Sequence, residues 1–160
     1  MTAVTDEQMV LFRLGTDVFA VEISAVERVL RYQSPTPVPD MPDWVEGVFE
    51  YQERIVPMVG IRQRFTLEPI PPSAETRILV LSVERELVGV MVDAVVEVVS
   101  VARSQVAPPP PIFRGLAAEY LKGVVSHQGK LIIYLDVAKL LSAGERIELQ
   151  RSAREALTDA

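Results

Sequence analysis

At 160 residues the chain has room for one domain, or for two very small lobes sharing a core, and can bury roughly 70% of its unfolded surface without staples. A net charge of −6 argues against a nucleic-acid partner, which needs clustered cations to displace counterions, and an apolar content of 49% excludes wholesale disorder. The chain has no cysteine, so neither a disulfide framework nor a thiolate metal site is available.

Met9 to Leu14 and Val18 to Ile23 are β-branched and aromatic runs around Gly15-Thr16-Asp17, the pattern of a hairpin. Ser24-Ala25-Val26-Glu27 has the spacing of a capping box and predicts a short helix to about Leu30, with Val26, Val29 and Leu30 on one face. Pro35, Pro37, Pro39 and Pro42 then predict an extended surface connector that ends at Trp44. A second hairpin follows, with Gln52-Glu53-Arg54 at its turn. Pro57 lies inside its second strand, which predicts an edge or a bulge there.

The proline-containing stretch from Thr66 to Thr76 reads as a link. Arg77 to Val83 and Leu87 to Val92 form the third hairpin around Glu84-Arg85-Glu86. Asp93 either caps a helical turn or breaks the strand, and Ala94 to Val101 is β-branched enough to be a strand itself. Pro108 to Pro111 is a stiff polyproline connector. Tyr120 to Gln128 and Leu131 to Leu135 make the last hairpin, and Asp136 caps a helix reaching Leu141. The tail from residue 143 onward is a weak helix or a frayed end.

These elements repeat. Val45 to Phe65 lies without a gap on Leu121 to Leu141 at an offset of 76, and Phe19 to Leu30 lies on Val88 to Val99 at an offset of 69. The seven-residue difference marks an insertion before Tyr120. Two similar small β units in one chain are expected.

Ser126, His127, Asp93 and Asp136 are the candidates for catalysis. Ser126 and His127 are neighbours on a predicted strand, so they point to opposite faces and do not share a proton readily. The chain carries no nucleophile elbow, Gly-rich phosphate loop or metal-ligand cluster. The expectation is no catalytic residue, no metal and no cofactor. No basic and apolar leader opens the chain, and Leu87 to Val101 falls short of the ~20 clean residues of a membrane helix. The expected location is therefore the cytoplasm, without direct membrane insertion.

The segments FRLGTDVFAVEISAVERVL, TPVPDMPDWVEGVFEYQERIVPMVGIRQRF, ETRILVLSVERELVGVMVDAVVEVV and YLKGVVSHQGKLIIYLDVAKLL resemble, in order and spacing, the CheW-like domain of bacterial chemosensory adaptors. The resemblance implies a mainly β fold of two SH3-like five-stranded barrels around a shared hydrophobic core, with short helices. It places one domain over 8–142, with lobes at 8–65 and 77–141 and an exchange of strands between them left open.

It also implies a function: coupling the cytoplasmic tip of a methyl-accepting receptor to the regulatory domain of a CheA-type histidine kinase, in an array that includes other CheW-like domains. By motif, Val26 and Val29 are receptor-groove candidates, and Gly47 is the glycine before the first repeated hairpin. Glu50, Gln52 and Glu53 depart from the usual Asn-Leu-Arg-Gly of that hairpin. Arg28 stands where an acid is common, and Arg62 survives from Val-Asp-Leu-Arg although Gly60 replaces the acid. Altered rim charges change partner choice more readily than affinity, so a diverged pathway is expected. A scaffold that binds one partner only, or a small enzyme, is the alternative.

Overall fold

The computed structural model describes residues 6–41, 45–64, 68, 70–109 and 120–140, and these form ten strands and two α-helices of one turn each. The first half contributes β1 (Asp6–Leu14), β2 (Asp17–Glu22), β3 (Val26–Arg31), β4 (Val45–Tyr51), β5 (Arg54–Val59) and α1 (Ile61–Arg64). The second contributes β6 (Arg77–Val83), β7 (Glu86–Val92), β8 (Ala94–Ala102), β9 (Leu121–His127), β10 (Lys130–Leu135) and α2 (Val137–Leu140). Leu141, the other end of the expected last helix, lies outside the described residues, as do Trp44, Pro42, Pro110, Pro111 and the tail.

The hairpin turns are tight. Gln52 and Glu53, Glu84 and Arg85, and Gln128 and Gly129 all have positive φ, as two-residue turns between right-twisted strands require. The turns at Gln52-Glu53 and Glu84-Arg85 are thus one residue shorter than the sequence suggests, because Arg54 and Glu86 already belong to strands, and the last turn lies one residue earlier, at Gln128-Gly129.

Two five-stranded SH3-like sheets result, with orders β8-β1-β2-β10-β9 and β3-β6-β7-β5-β4. Neither sheet comes from one half of the chain, so the sheets do not coincide with 8–65 and 77–141. The first hairpin joins the last three strands, and the third hairpin joins β3, β4 and β5. Each exchange is held by one antiparallel pairing, β1 with β8 or β3 with β6, and by one parallel pairing: Val18 to Ala20 lie beside Ile132 to Tyr134, and Gly89 and Val90 beside Met58 and Val59.

Period-two alternation explains why the exchanged strands read as unbroken apolar runs. On β1, Met9 and Leu11 enter a core private to the first sheet, with Ala20, Val125, Ile132 and Tyr134. Val10, Phe12 and Leu14 face the other way, into a core shared by both sheets. On β6, Ile78 and Val80 pack with Phe49, Tyr51, Val56 and Met58, while Leu79, Leu81 and Val83 enter the shared core. Phe12 stacks on Phe19 there, with ring centroids 5.9 Å apart. Each such fully buried large side chain contributes about 1.5–3 kcal/mol, so the shared core binds the sheets strongly.

Two expectations fail. The helix over Ser24 to Leu30 is absent: Ile23–Ala25 make a single 3-10 turn without a side-chain cap, and Val26–Arg31 pair with β6 as a strand. β-Branched Val26 and Val29 suit that strand, and the open edge of β6 supplies a ladder that local helical hydrogen bonds would have to outcompete. The single apolar face dissolves too. Val26 packs on the shared core, Leu30 on the core of the second sheet, and Val29 is 41% exposed.

The second failure is β5, which is an interior strand between β7 and β4 despite Pro57. Val48, opposite Pro57, turns its N–H and C=O outward to Thr36, so Val48 and Pro57 are a non-hydrogen-bonded pair and the Pro57 nitrogen faces β7. The parallel ladder to β7 begins one residue later, at Met58. In the second copy Ile133, the counterpart of Pro57, takes part in that ladder. Proline therefore shortens the ladder instead of driving the strand to an edge.

Candidate interaction surface

The expected site residues gather on one end of the second sheet, on its two outermost strands. The connector after β3 makes a bridge to β4, with Thr36 N–H donating to the Val48 carbonyl at 2.8 Å and Val48 N–H to the Thr36 carbonyl at 3.0 Å. Gly47 makes this approach feasible. Its φ is +148°, and a Cβ there would collide with the Thr36 carbonyl. Its counterpart Gly123 has the same duty, since its Cβ would fall 2.5 Å from the Ala107 oxygen, where Ala107 and Val124 make the equivalent bridge. Gly47 is buried, so it shapes the surface from beneath.

β3 and β4 occupy opposite ends of the sheet order, yet the Tyr51 hydroxyl donates to Glu27 Oε2 at 3.4 Å. The two ends of the sheet thus meet, as closure toward a barrel requires. Around this contact Glu27, Arg28 and Val29 are exposed on β3, and Glu50, Gln52 and Glu53 are exposed at the hairpin tip. A register shift between Val26 and Arg28 lets Glu27, Arg28 and Val29 all reach the outside. The surface is an apolar spot, Val29, beside Arg28 and several carboxylates, with Arg31 and Arg54 also exposed on β3 and at the hairpin.

Arg62 lies elsewhere. Its side chain is 11% exposed and its guanidinium is paired with Asp93, to which both Nε and Nη2 donate, while Nη1 donates to the Glu68 carbonyl at 2.8 Å. Asp93 Oδ2 also accepts from Gly15 N–H at 2.6 Å. Asp93 therefore neither caps a helix nor merely ends a strand. It stands where the chain passes from β7 to β8, between the sheets, and ties α1 to the β1–β2 turn.

Among the other polar candidates, Ser126 is exposed and His127 half-buried on β9, on opposite faces as expected. The His127 Nε2 atom is buried and accepts or donates no hydrogen bond among the described residues, so no polar cluster surrounds it. Tyr134 is fully buried, and this burial, together with the carboxylate of Glu7, pushes its phenol well above the usual range. Lys122 stands over its ring, 5.1 Å from the centroid, and reaches Glu22 at 3.5 Å. Burial likewise raises the carboxyl of Glu46 on β4. Among the described residues no acidic or histidine group could hold a metal ion, and no helix is long and apolar enough to cross a membrane.

Two five-stranded sheets sharing a core, glycines that admit flanking connectors and an exposed bulged edge define a double-sheet β domain with an accessible strand edge. The CheW-like domain model matches residues 8–145, and the chain belongs to that family. It is 33% identical to the chemotaxis protein CheW of Treponema pallidum over 89% of this chain and 88% of that one. With the Klebsiella aerogenes chemotaxis protein CheW it shares 30% identity over 87% of this chain and 84% of the relative. The scaffolding protein TtCheW of Thermoanaerobacter tengcongensis superposes with a TM-score of 0.79 at 25% identity, covering 87% and 90% of the two chains. This chain is a chemotaxis adaptor of the CheW-like family and has no catalytic role.

Sequence reasoning missed two features of the site. The Tyr51–Glu27 contact and the Arg62–Asp93 pair join residues far apart in the chain, and no local pattern announces them.

Proposed function

We propose that this adaptor couples the cytoplasmic tip of a methyl-accepting chemoreceptor to the regulatory domain of a CheA-type histidine kinase, in a cytoplasmic array with other CheW-like domains. The observation that carries this reading is the β3 edge, whose bulge turns Arg28 and the apolar Val29 outward on a strand with one free side. Such an edge suits a helical or strand-like partner. Val26, Arg28 and Val29 form the receptor-facing part, and Glu50, Gln52 and Glu53 at the adjoining tip select the partner by charge. Gly47 and Arg62 act from within, by positioning the connector and α1.

The test is titration of the full chain with purified receptor tip and, separately, kinase regulatory domain. Val29→Glu is expected to weaken receptor binding tenfold or more, about 1.4 kcal/mol, with kinase binding retained. Binding of one partner only would leave a scaffold rather than a coupler. The exposed Arg28 and the acidic tip favour a diverged pathway with its own receptor or kinase. Gln52→Arg then improves joining to a standard array, and no change on that substitution removes the idea.

A further inference from the structure

The repeat relates two facing pairs of residues, one in each sheet. On β3 and β6, Arg31 and Arg77 are direct Cα partners in the antiparallel ladder. The offset of 69 relates Arg31 to Ser100 and Gln8 to Arg77, and Gln8 and Ser100 are themselves direct partners on β1 and β8. One place holds two neutral side chains and the other two cations. Like charges directly opposite each other on a sheet are destabilising. The pair Gln8 and Ser100 shows that this position of the fold needs no charge.

Arg77 has a structural duty of its own: its Nη1 donates to the carbonyls of Ala74 and Thr76, both at 2.9 Å, and braces the turn before β6. Arg31 has none. It is exposed, and among the described residues its side chain makes neither a hydrogen bond nor an ion pair. Opposed residues of an antiparallel pair stand about 4.5–5.5 Å apart and send their side chains to one face, so the two guanidinium forks can hold a single carboxylate between them. Val29 lies two residues before Arg31 on that face and is 41% exposed. Two residues along a strand advance roughly 6.5 Å, and one turn of a helix advances about 5.4 Å. A helix with an apolar residue and a carboxylate one turn apart therefore matches Val29 and the arginine pair together.

We infer that Arg31 and Arg77 hold a carboxylate of the receptor tip, from an Asp or Glu set one helical turn from the apolar residue that packs on Val29. The inference rests on the receptor reading of β3 and names the chemistry which that edge selects. In the free adaptor the two cations repel each other, and in the complex the carboxylate between them relieves the repulsion. A local charge conflict that weakens the fold is thus a recognition feature. Binding through it is electrostatic and weakens with salt.

The experiment uses the full chain and the purified cytoplasmic tip of its receptor. Arg31→Glu sets opposite charges across the ladder, and is expected to raise the midpoint of thermal unfolding while lowering receptor affinity about tenfold or more. Kinase affinity stays as in the parent chain. Arg31→Gln and Arg77→Gln are each expected to lower receptor affinity several-fold and to flatten its salt dependence. Gln8→Glu, at the matching place in the first sheet, leaves receptor affinity unchanged. An equal loss on Gln8→Glu would mark a general effect of net charge and overturn the contact. A fall of the unfolding midpoint together with affinity in Arg31→Glu would make the pair structural and overturn it too. If Arg31→Glu does not fold, Arg31→Gln decides by the same readouts. Parent-like receptor binding by all three arginine variants, with Val29→Glu still defective, removes the carboxylate contact and leaves the β3 reading intact. Parent-like binding by Val29→Glu as well defeats both.

Discussion

The two copies of the repeat share a backbone plan and differ in what each sets at matching points. At one junction a charged pair, Arg62 and Asp93, closes the seam, and at the other the matching positions hold Ala138 and Ser24. Glu46 matches Lys122, Met58 matches Tyr134 and Pro57 matches Ile133. The two copies thus keep the same strands while their side chains differ in the private cores as well as at the seam, and at Pro57 the difference shortens a ladder.

The comparison is tested most severely at the paired glycines. Gly47→Ala adds a forbidden φ to a collision with Thr36, for a loss on the order of 3 kcal/mol or more. Gly123→Ala faces only the collision with Ala107 and Val106, and is expected to lose about 1–3 kcal/mol. Urea unfolding of both variants measures the difference, and equal losses would mean that backbone strain contributes nothing at Gly47.

The junctions come next. Arg62→Ala leaves Asp93 buried without its cation and is expected to cost about 3 kcal/mol, whereas Ser24→Ala at the exposed matching position costs under about 0.5 kcal/mol. Comparable losses in thermal unfolding would erase the asymmetry described here.

Tyr134 and Met58 differ in titration. The folded state holds the Tyr134 proton above its unfolded pKa of about 10, so this contribution is complete below that pH and is lost as pH rises past it. Tyr134→Phe should flatten the alkaline limb of the stability curve, and an unchanged limb would remove Tyr134 from it.

The smallest effect belongs to Glu46. Burial holds its carboxyl above the ordinary value of 4.5, so its contribution is present below that pH and lost as pH rises through the folded value. Glu46→Gln should therefore stabilise slightly at pH 7 and hardly at all at pH 4. Denaturation at the two pH values reads the contrast with Lys122, its exposed counterpart.

All four hairpins were legible in the sequence because strand pattern and turn residues are local, and β8 was legible from its β-branching. β3 was not. Ser24 and Glu27 satisfy the capping-box spacing, and Val26, Val29 and Leu30 fit helical as well as bulged extended geometry, so the deciding influence was the edge of β6, about 50 residues away in the chain. Its counterpart Ala94 to Val101 had already been read as a strand, and carrying that reading across the repeat would have corrected it. Pro57 misled for a related reason: its cost depends on which neighbour its nitrogen faces, and that follows from Val48 turning toward Thr36. Of the site, the glycines and the exposed tip were visible in sequence, while the inward role of Arg62 depended on Asp93, 31 residues on.

Because β1 pairs with β8, and Val18 to Ala20 on β2 lie beside Ile132 to Tyr134, the first hairpin made on the ribosome has no permanent neighbour in its sheet until the second half of the chain emerges. Neither half can mature alone, and synthesis must hold two apolar ribbons in waiting. Such an interlocked ring of dependencies is what joining the two chains of a strand-swapped dimer end to end would leave behind. It makes the adaptor a single cooperative body, in which loosening either end of the polypeptide is felt at the other.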